Sequence, residues 1–263
     1  MPARHRSNKG APAICFLSSG SPDANDALEK LTARYDNCPL DDAEFIVALG
    51  GDGLMLQTLH RVMHKPRPIY GMNRGSVGFL MNEYRDRGLR QRLEAALASI
   101  IHPLLMTATD VKGARTSAHA INEVSLLRQT YQAAKLSIAI DGKAQLAELI
   151  ADGVLVATPA GSTAYNLSAN GPILPLNAPL MALTPLSPFR PRRWRGALLP
   201  DRASVRIDVQ EADKRPVSAV ADHFEIRRVA SVDIAMDHAT SLVLLHDPGQ
   251  SLDERIRMEQ FRF

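Results

Sequence analysis

Gly50-Gly51-Asp52-Gly53 sets a single carboxylate among three glycines, directly after the apolar run at residues 45–49. Glycine loses more conformational freedom on folding than any other residue, so three around one aspartate need a reason. A glycine-lined strand end that opens a helix offers free amides to an anion such as phosphate. A carboxylate in that loop would repel the phosphate itself. It suits a hydroxyl that it can deprotonate, or a magnesium ion carrying the phosphates. Both roles lead to phosphoryl transfer onto an alcohol, with a carboxylate that is ionised near neutrality accepting the proton. The competing reading is structural: Asp52 caps the helix that follows. The Walker A pattern is absent, so the loop is not that kind of ATP cradle.

Two further stretches carry the same grammar. Residues 71–80 (GMNRGSVGFL) again place glycines after an apolar run, so both loops would face one crevice, with Arg74 turned to a phosphate or to water. Residues 151–174 (ADGVLVATPAGSTAYNLSANGPIL) gather small hydroxyl and glycine residues around Tyr165. Such a run can approach a flat ligand closely, backbone groups reading a base edge and hydroxyls a ribose. A long surface loop has the same composition, although a loop this long inside a compact domain is more often functional. Asn122 and Glu123 form a polar pair in an otherwise apolar strand, where satisfaction of a strand end competes with ligand binding.

These loops need a scaffold, and the periodicity predicts one. Strands at 13–17, 45–49 and 68–72 alternate with helices at 23–35, 54–63 and 86–100, the last placing Leu89, Leu93, Ala96, Leu97 and Ile100 on one face. Strands without polar alternation, separated by amphipathic helices, predict an α/β domain with a parallel sheet over residues 1–103. After His102-Pro103 the pattern changes to short strands, with clean alternation at 205–210 and a hairpin turn at Asp141-Gly142. Residues 104–246 therefore read as an all-β sandwich, the run at 241–247 supplying its last strand. Residues 247–263 return to helix, with Ser251 and Glu254 as a capping box and Leu252, Ile256 and Phe263 on one face.

Composition limits the rest. With 263 residues, 45% hydrophobic, the chain can bury a real core, and a net charge of +3 gives no global case for nucleic-acid binding. Cys15 and Cys38 read as reduced thiols. No apolar run approaches the length of about 18 residues that crosses a membrane, and the basic start holds too short an apolar segment for a signal peptide. These features predict a cytoplasmic protein. Arg190, Arg192, Arg193 and Arg195 surround the sole tryptophan; the cluster could steer a polyanion or form a solvated face, but a subunit contact is favoured.

GGDG, GMNRGSVGFL, NEVSLLR and DGVLVATPAGSTAYNLSANGPIL occur in the order and at about the spacing of the NAD kinase family, which the chain resembles over most of its length. GGDG alone is shared with diacylglycerol and sphingoid-lipid kinases; the last stretch is the specific one. The resemblance implies a Rossmann-like α/β nucleotide-binding domain, a β-sandwich, and a C-terminal helix packing back on the first domain. It implies transfer of the terminal phosphate of ATP to the 2′-hydroxyl of the adenosine ribose of NAD. Asp52 would be the proton acceptor and Gly53 would lie beside the ribose. Asn122, Glu123, Asp152, Ala160, Thr163, Ala164, Tyr165, Asn166 and Ser168 would contact NAD. Gly50, Gly51, Asn73, Arg74, Gly75 and Gly78 would face the donor phosphates. Magnesium would arrive with ATP, no cofactor would be tightly bound, and relatives point to a homodimer or homotetramer. The chain departs from the family at Ile150, where many members carry a basic or aromatic residue. It departs again at Asp222-His223-Phe224, often Asp-Gly-Gln, where His223 reads as a partly buried structural histidine. A lipid kinase is disfavoured by the small, polar 158–171 loop, and a non-catalytic dinucleotide sensor by the presence of Asp52.

Overall fold

A computed structural model describes residues 12–75 and 78–261. Ser76, Val77 and Phe263 lie outside the described residues. The chain divides into two compact units, residues 1–100 with 242–252, and residues 101–241 with 253–263. In chain order the elements begin β1 (Ile14–Ser18), α1 (Pro22–Tyr35), β2 (Phe45–Gly50), α2 (Asp52–Val62), β3 (Ile69–Asn73), α3 (Leu89–Ala95) and β4 (Leu97–Ile101). There follow β5 (Leu104–Asp110), β6 (Arg115–Ala120), β7 (Glu123–Arg128), β8 (Ala134–Ile140), β9 (Lys143–Ala151), β10 (Gly153–Ala157), α4 (Tyr165–Ser168), β11 (Leu180–Leu186) and β12 (Ala197–Pro200). The run closes with β13 (Val205–Val209), β14 (Val217–Ala221), β15 (Phe224–Ile226), β16 (Val229–Met236), β17 (Leu242–His246) and α5 (Leu252–Glu259). Among the described residues no helix is long and apolar enough to cross a membrane.

The first unit is a five-stranded sheet in the order β1-β2-β3-β17-β4, with β1, β2, β3 and β17 parallel. α1 starts where the Ser21 hydroxyl accepts from the Ala24 N–H at 3.3 Å and proline fills the first turn. Its spacing then drives Ala24, Ala27 and Leu31 into a core with Phe16, Val47, Leu49, Tyr70 and Met72. Each large side chain so buried stabilises the unit by about 1.5–3 kcal/mol before entropy is counted.

Two expectations are corrected here. The helix predicted over 86–100 covers only α3; from Leu97 the chain takes up a period of two and joins the sheet as β4. Ser99 and Ile101 point inward, while Leu97 and Ile100 are 48% and 59% exposed. The run at 241–247 is not a sandwich strand either. Its continuous apolar run suits a strand covered on both faces, and β17 sits between β3 and β4, with Leu244 opposite Ile69. The element that returns to the first unit is therefore a strand. α5 is grouped with the second unit from Asp253 onward, where Ile256 lines a small cavity with Pro175 and Asn177.

Side-chain chemistry pins β17 in place. The buried Asn82 amide donates to the carbonyls of Gly71 and Leu245, both at 3.0 Å, and its Oδ1 accepts from the Asp247 N–H at 2.9 Å. The Asp247 carboxylate receives the Tyr70 hydroxyl at 2.6 Å and the Arg92 guanidinium at 2.5 Å. Burial would push this carboxyl up, but Arg92 and Tyr70 hold it below the usual carboxylate range.

The second unit consists of two six-stranded sheets, ordered β12-β11-β10-β7-β14-β15 and β6-β5-β16-β13-β8-β9, whose pairings are antiparallel. Their inner faces share one core that includes Met106, Leu126, Leu136, Val154, Val205, Ile207 and Val232. Val205 and Ile207 are buried and Arg206 exposed, as the alternation predicts. β8 and β9 form the expected hairpin. Asp141 and Gly142 both take positive φ (50° and 74°), which a two-residue turn of this kind requires.

Candidate active site

In the first unit Asp52 is the first residue of α2, and the cap position falls to Gly51, which has no side chain to bond the helix. The capping reading therefore fails. The Asp52 carboxylate reaches instead to the second glycine stretch, Oδ2 accepting from the Phe79 N–H and Oδ1 from the Leu80 N–H, both at 2.8 Å. Each oxygen keeps acceptor capacity beyond that one bond. The surrounding glycines serve space, not handedness, since none of the three takes positive φ. A Cβ on Gly50 would lie 2.9 Å from the Ser19 Cβ and 3.0 Å from Leu54 Cδ2, whereas one on Gly53 would meet nothing within 4 Å. Gly50 is required by packing. Gly53 opens onto free space at the helix start.

The two glycine loops come together as the sequence predicts. Arg74 donates its backbone N–H to the Gly50 carbonyl at 2.8 Å, and a Cβ on Gly75 would sit 3.7 Å from the Gly51 Cα. Asn73 Oδ1 accepts from the Gly75 N–H at 2.9 Å, which shapes the turn. The Arg74 guanidinium is engaged otherwise than expected. Its Nε donates to the Asp23 carbonyl at 3.1 Å, and its plane lies 4.4 Å over the Tyr84 ring. Gly78 is held close against Met81, 2.8 Å from where a Cβ would stand.

In the second unit the 158–174 stretch is tied to the Asn122-Glu123 pair. The Thr158 hydroxyl donates to the Ile121 carbonyl at 2.8 Å and accepts from the Gly161 N–H at 2.9 Å, while the Thr158 N–H bonds the Asn122 carbonyl at 2.9 Å. A Cβ at Gly161 would fall 2.1 Å from that same carbonyl oxygen, so only glycine fits. Asp222 completes the clamp: its carboxylate accepts the N–H groups of Ile121, Asn122 and Glu123 at 2.6, 2.9 and 3.3 Å. Glu123 is largely buried, and its Oε2 has no hydrogen-bond partner. Burial, then the nearby Asp222 charge, raises its carboxyl to about 7, against the Tyr165 N–H, which favours the ionised form.

Asn166 has a task the sequence reading did not foresee. It is fully buried, its Nδ2 donating to the carbonyls of Ser162 (3.1 Å) and Pro172 (2.9 Å) and its Oδ1 accepting from the Thr184 hydroxyl at 2.7 Å. It braces the loop from inside. Tyr165 and Ser168 are exposed, Thr163 and Ala164 partly so, and Ala160 is buried. His223 is exposed, correcting its expected partial burial, because with Asp222 it forms the two-residue turn between β14 and β15.

A cavity of about 660 Å³ opens beside this loop, lined by Asp152, Tyr165, Ser168, Arg128, Trp194 and Arg195 among others. Asp152 holds Arg128 Nε at 2.5 Å on its wall. Trp194 packs partly buried against the sandwich core, so part of the basic cluster faces the cavity, which its composition did not reveal.

Residues 15–100 match the model of the ATP-NAD kinase N-terminal domain, and residues 121–236 that of the C-terminal domain. The chain is 58% identical to the NAD kinase of Caulobacter vibrioides over 94% of its own length and 95% of that protein. It belongs to the ATP-NAD kinase family. The NAD kinase of Mesorhizobium japonicum is 57% identical over 96% of this chain and 98% of its own. Among solved structures, the fold is similar to yeast NADH kinase complexed with NADH, with a TM-score of 0.81 at 20% identity over 96% of this chain and 88% of that one. It is also similar to an NAD kinase from Archaeoglobus fulgidus in complex with ATP, with a TM-score of 0.73 at 22% identity over 93% and 98%. The four motif stretches thus sit on the α/β and β-sandwich scaffold that the family resemblance implied. Asp222, which holds the Ile121–Glu123 backbone, and the Phe79 and Leu80 amides, which hold the Asp52 carboxylate, were not assigned these tasks from the residue pattern.

Proposed function

We propose that this member of the family transfers the terminal phosphate of ATP to the 2′-hydroxyl of the adenosine ribose of NAD, giving NADP and ADP, with Asp52 as proton acceptor. The observation that carries the assignment is the Asp52 carboxylate, fixed through both oxygens by backbone amides next to the open face of Gly53. Its remaining lone pairs can take the ribose proton as the new bond to phosphorus forms. Asn122, Glu123, Asp152, Ala160, Thr163, Ala164, Tyr165 and Ser168 bind NAD, with Asn166 bracing the loop. Gly50, Gly51, Asn73, Arg74, Gly75 and Gly78 face the donor phosphates, Arg74 through its backbone. Catalysis then comes from positioning and charge neutralisation.

Among the described residues no three His, Cys, Asp or Glu side chains gather around a point that could cage a metal. Such a loop fits a magnesium ion that travels with the nucleotide, Asp52 being its available carboxylate. Bound with ATP, magnesium neutralises the charge on the phosphates. We further propose a cytoplasmic homodimer or homotetramer; Phe189 and Leu198, 55% and 51% exposed near the arginine cluster, give a contact apolar substance.

The test is NADP formation from NAD, ATP and magnesium, with Asp52→Asn run alongside and NAD binding measured for both. NADP from the wild type and its loss in a variant that still binds NAD supports the assignment. A well-folded wild type that makes no NADP overturns it.

A further inference from the structure

The clamp around Glu123 is more elaborate than holding a strand end requires. Asp222 accepts three consecutive N–H groups from the turn that carries Asn122 and Glu123, from its place at φ +51° in the β14–β15 hairpin turn. A turn of this kind could be held by any acceptor. Here the acceptor carries a full negative charge and stands beside a second carboxyl, largely buried, whose Oε2 lacks any partner. Two such neighbours cannot both stay ionised cheaply. Asp222 accepts from three backbone amides, whereas Glu123 has one backbone donor, from Tyr165. Among the described residues, the titratable groups that bear on Glu123 are Asp222 from the β14–β15 turn and Tyr165 from α4, neither of them a cation. The proton therefore goes to Glu123.

Building on the proposed NAD site, we propose that Asp222 is a positioning residue whose charge adds to burial in keeping Glu123 a carboxylic acid, so that Glu123 donates its O–H to the dinucleotide. An ionised Glu123 could only accept hydrogen bonds; the acid donates one and still accepts. A dinucleotide that selects the protonated form has an apparent Kd divided by the fraction protonated. With the carboxyl titrating at about 7, Kd rises about tenfold between roughly pH 6 and pH 8.

Two measurements test this. Carbon-13 NMR of the full chain labelled at glutamate carboxyls follows the Glu123 resonance, assigned by its absence in Glu123→Gln. It should titrate near neutrality in the wild type and at clearly lower pH in Asp222→Asn. NAD titrations should show the tenfold weakening in the wild type, the same weakening shifted to lower pH in Asp222→Asn, and a flat profile for Glu123→Gln, whose amide donates at every pH. A purely structural Asp222 would weaken binding in Asp222→Asn equally at all pH. That result overturns the inference, as does a Glu123 resonance that titrates in the ordinary carboxylate range. A Glu123 titration near neutrality in a protein that binds no NAD would instead remove the proposed function, and with it the dinucleotide as recipient of the O–H. Should Asp222→Asn fail to fold, Asp222→Ser, which keeps a side-chain acceptor and removes the charge, takes its place with the same expected shift and the same overturning result.

Discussion

Replacing Gly53 by alanine separates what the fold needs from what a substrate needs. Gly53 is the second residue of α2, exposed and outside the positive-φ region, and the added methyl meets no atom within 4 Å. Alanine removes part of the entropy glycine loses on folding, about 0.5–1 kcal/mol in a helix interior and less at a first-turn position. A gain of about 1 kcal/mol raises Tm by roughly 2–4 °C in a chain of this order of size, so the variant should melt at the wild-type temperature or slightly above. Activity should move the other way. With the ribose seated against Gly53, the methyl displaces it by about 1 Å, a misplacement that costs on the order of 100-fold in rate. That is about 2.7 kcal/mol of transition-state stabilisation. Thermal melts and initial rates of NADP formation on the same preparation read both effects. A Gly53→Ala protein with wild-type kcat/KM would refute the reasoning, because the open face would then hold no substrate.

Asp52→Asn should lower kcat by about 100-fold or more. It should also lower stability by about 1–3 kcal/mol, since its amide nitrogen would face the Phe79 or Leu80 N–H and leave that donor unpaired; denaturant titration beside the kinetics checks both parts. Gly161→Ala drives a Cβ to 2.1 Å from the Asn122 carbonyl, and should cost on the order of 3 kcal/mol by overpacking and weaken NAD binding through the displaced turn, whereas wild-type Tm and Kd would refute the clamp. For Asp247, whose carboxyl is held below its unfolded value, the contribution is present above the unfolded value and lost as pH falls through the folded one. Asp247→Asn should therefore destabilise at neutral pH by on the order of 3 kcal/mol, with the half-buried Arg92 losing its counter-charge, and show a shallower loss of stability below about pH 4 than the wild type, as acid melts will show.

How much of this was legible depended on distance along the chain. β1, β2, β3, α1 and α2 were readable because each is a local apolar run or a helical stripe. β4 was not: Leu93, Leu97 and Ile100 continue the helical spacing, and no local signal marks the switch to a period of two at Leu97. β17 was readable as a strand but not as a neighbour of β3, since pairing Ile69 with Leu244 depends on no local signal. β11 was hidden by Pro185, which sits beyond Leu183, the last residue β12 pairs, where a missing N–H costs little. In the site, the residue types named the chemistry, but the supports were backbone amides and an aspartate from 100 residues away in sequence. Asn166 shows the converse. It stands in the most specific motif, yet its side chain faces inward, because a loop that exposes Tyr165 and Ser168 needs an interior brace.

The place of β17 has a consequence for synthesis. As the chain leaves the ribosome, residues 1–101 emerge with four of the five strands of their sheet, and the missing one belongs between β3 and β4. Until Leu242–His246 are translated, β3 presents an unpaired edge and Tyr70 waits for Asp247. The residues of both six-stranded sheets, all before 237, are complete by then. Domains usually mature from the N-terminus during translation; here the first sheet cannot be completed until Leu242–His246 have emerged, so the segment after the Asp52-binding loop gains its Asn82–Leu245 tie only after every sandwich strand has been made.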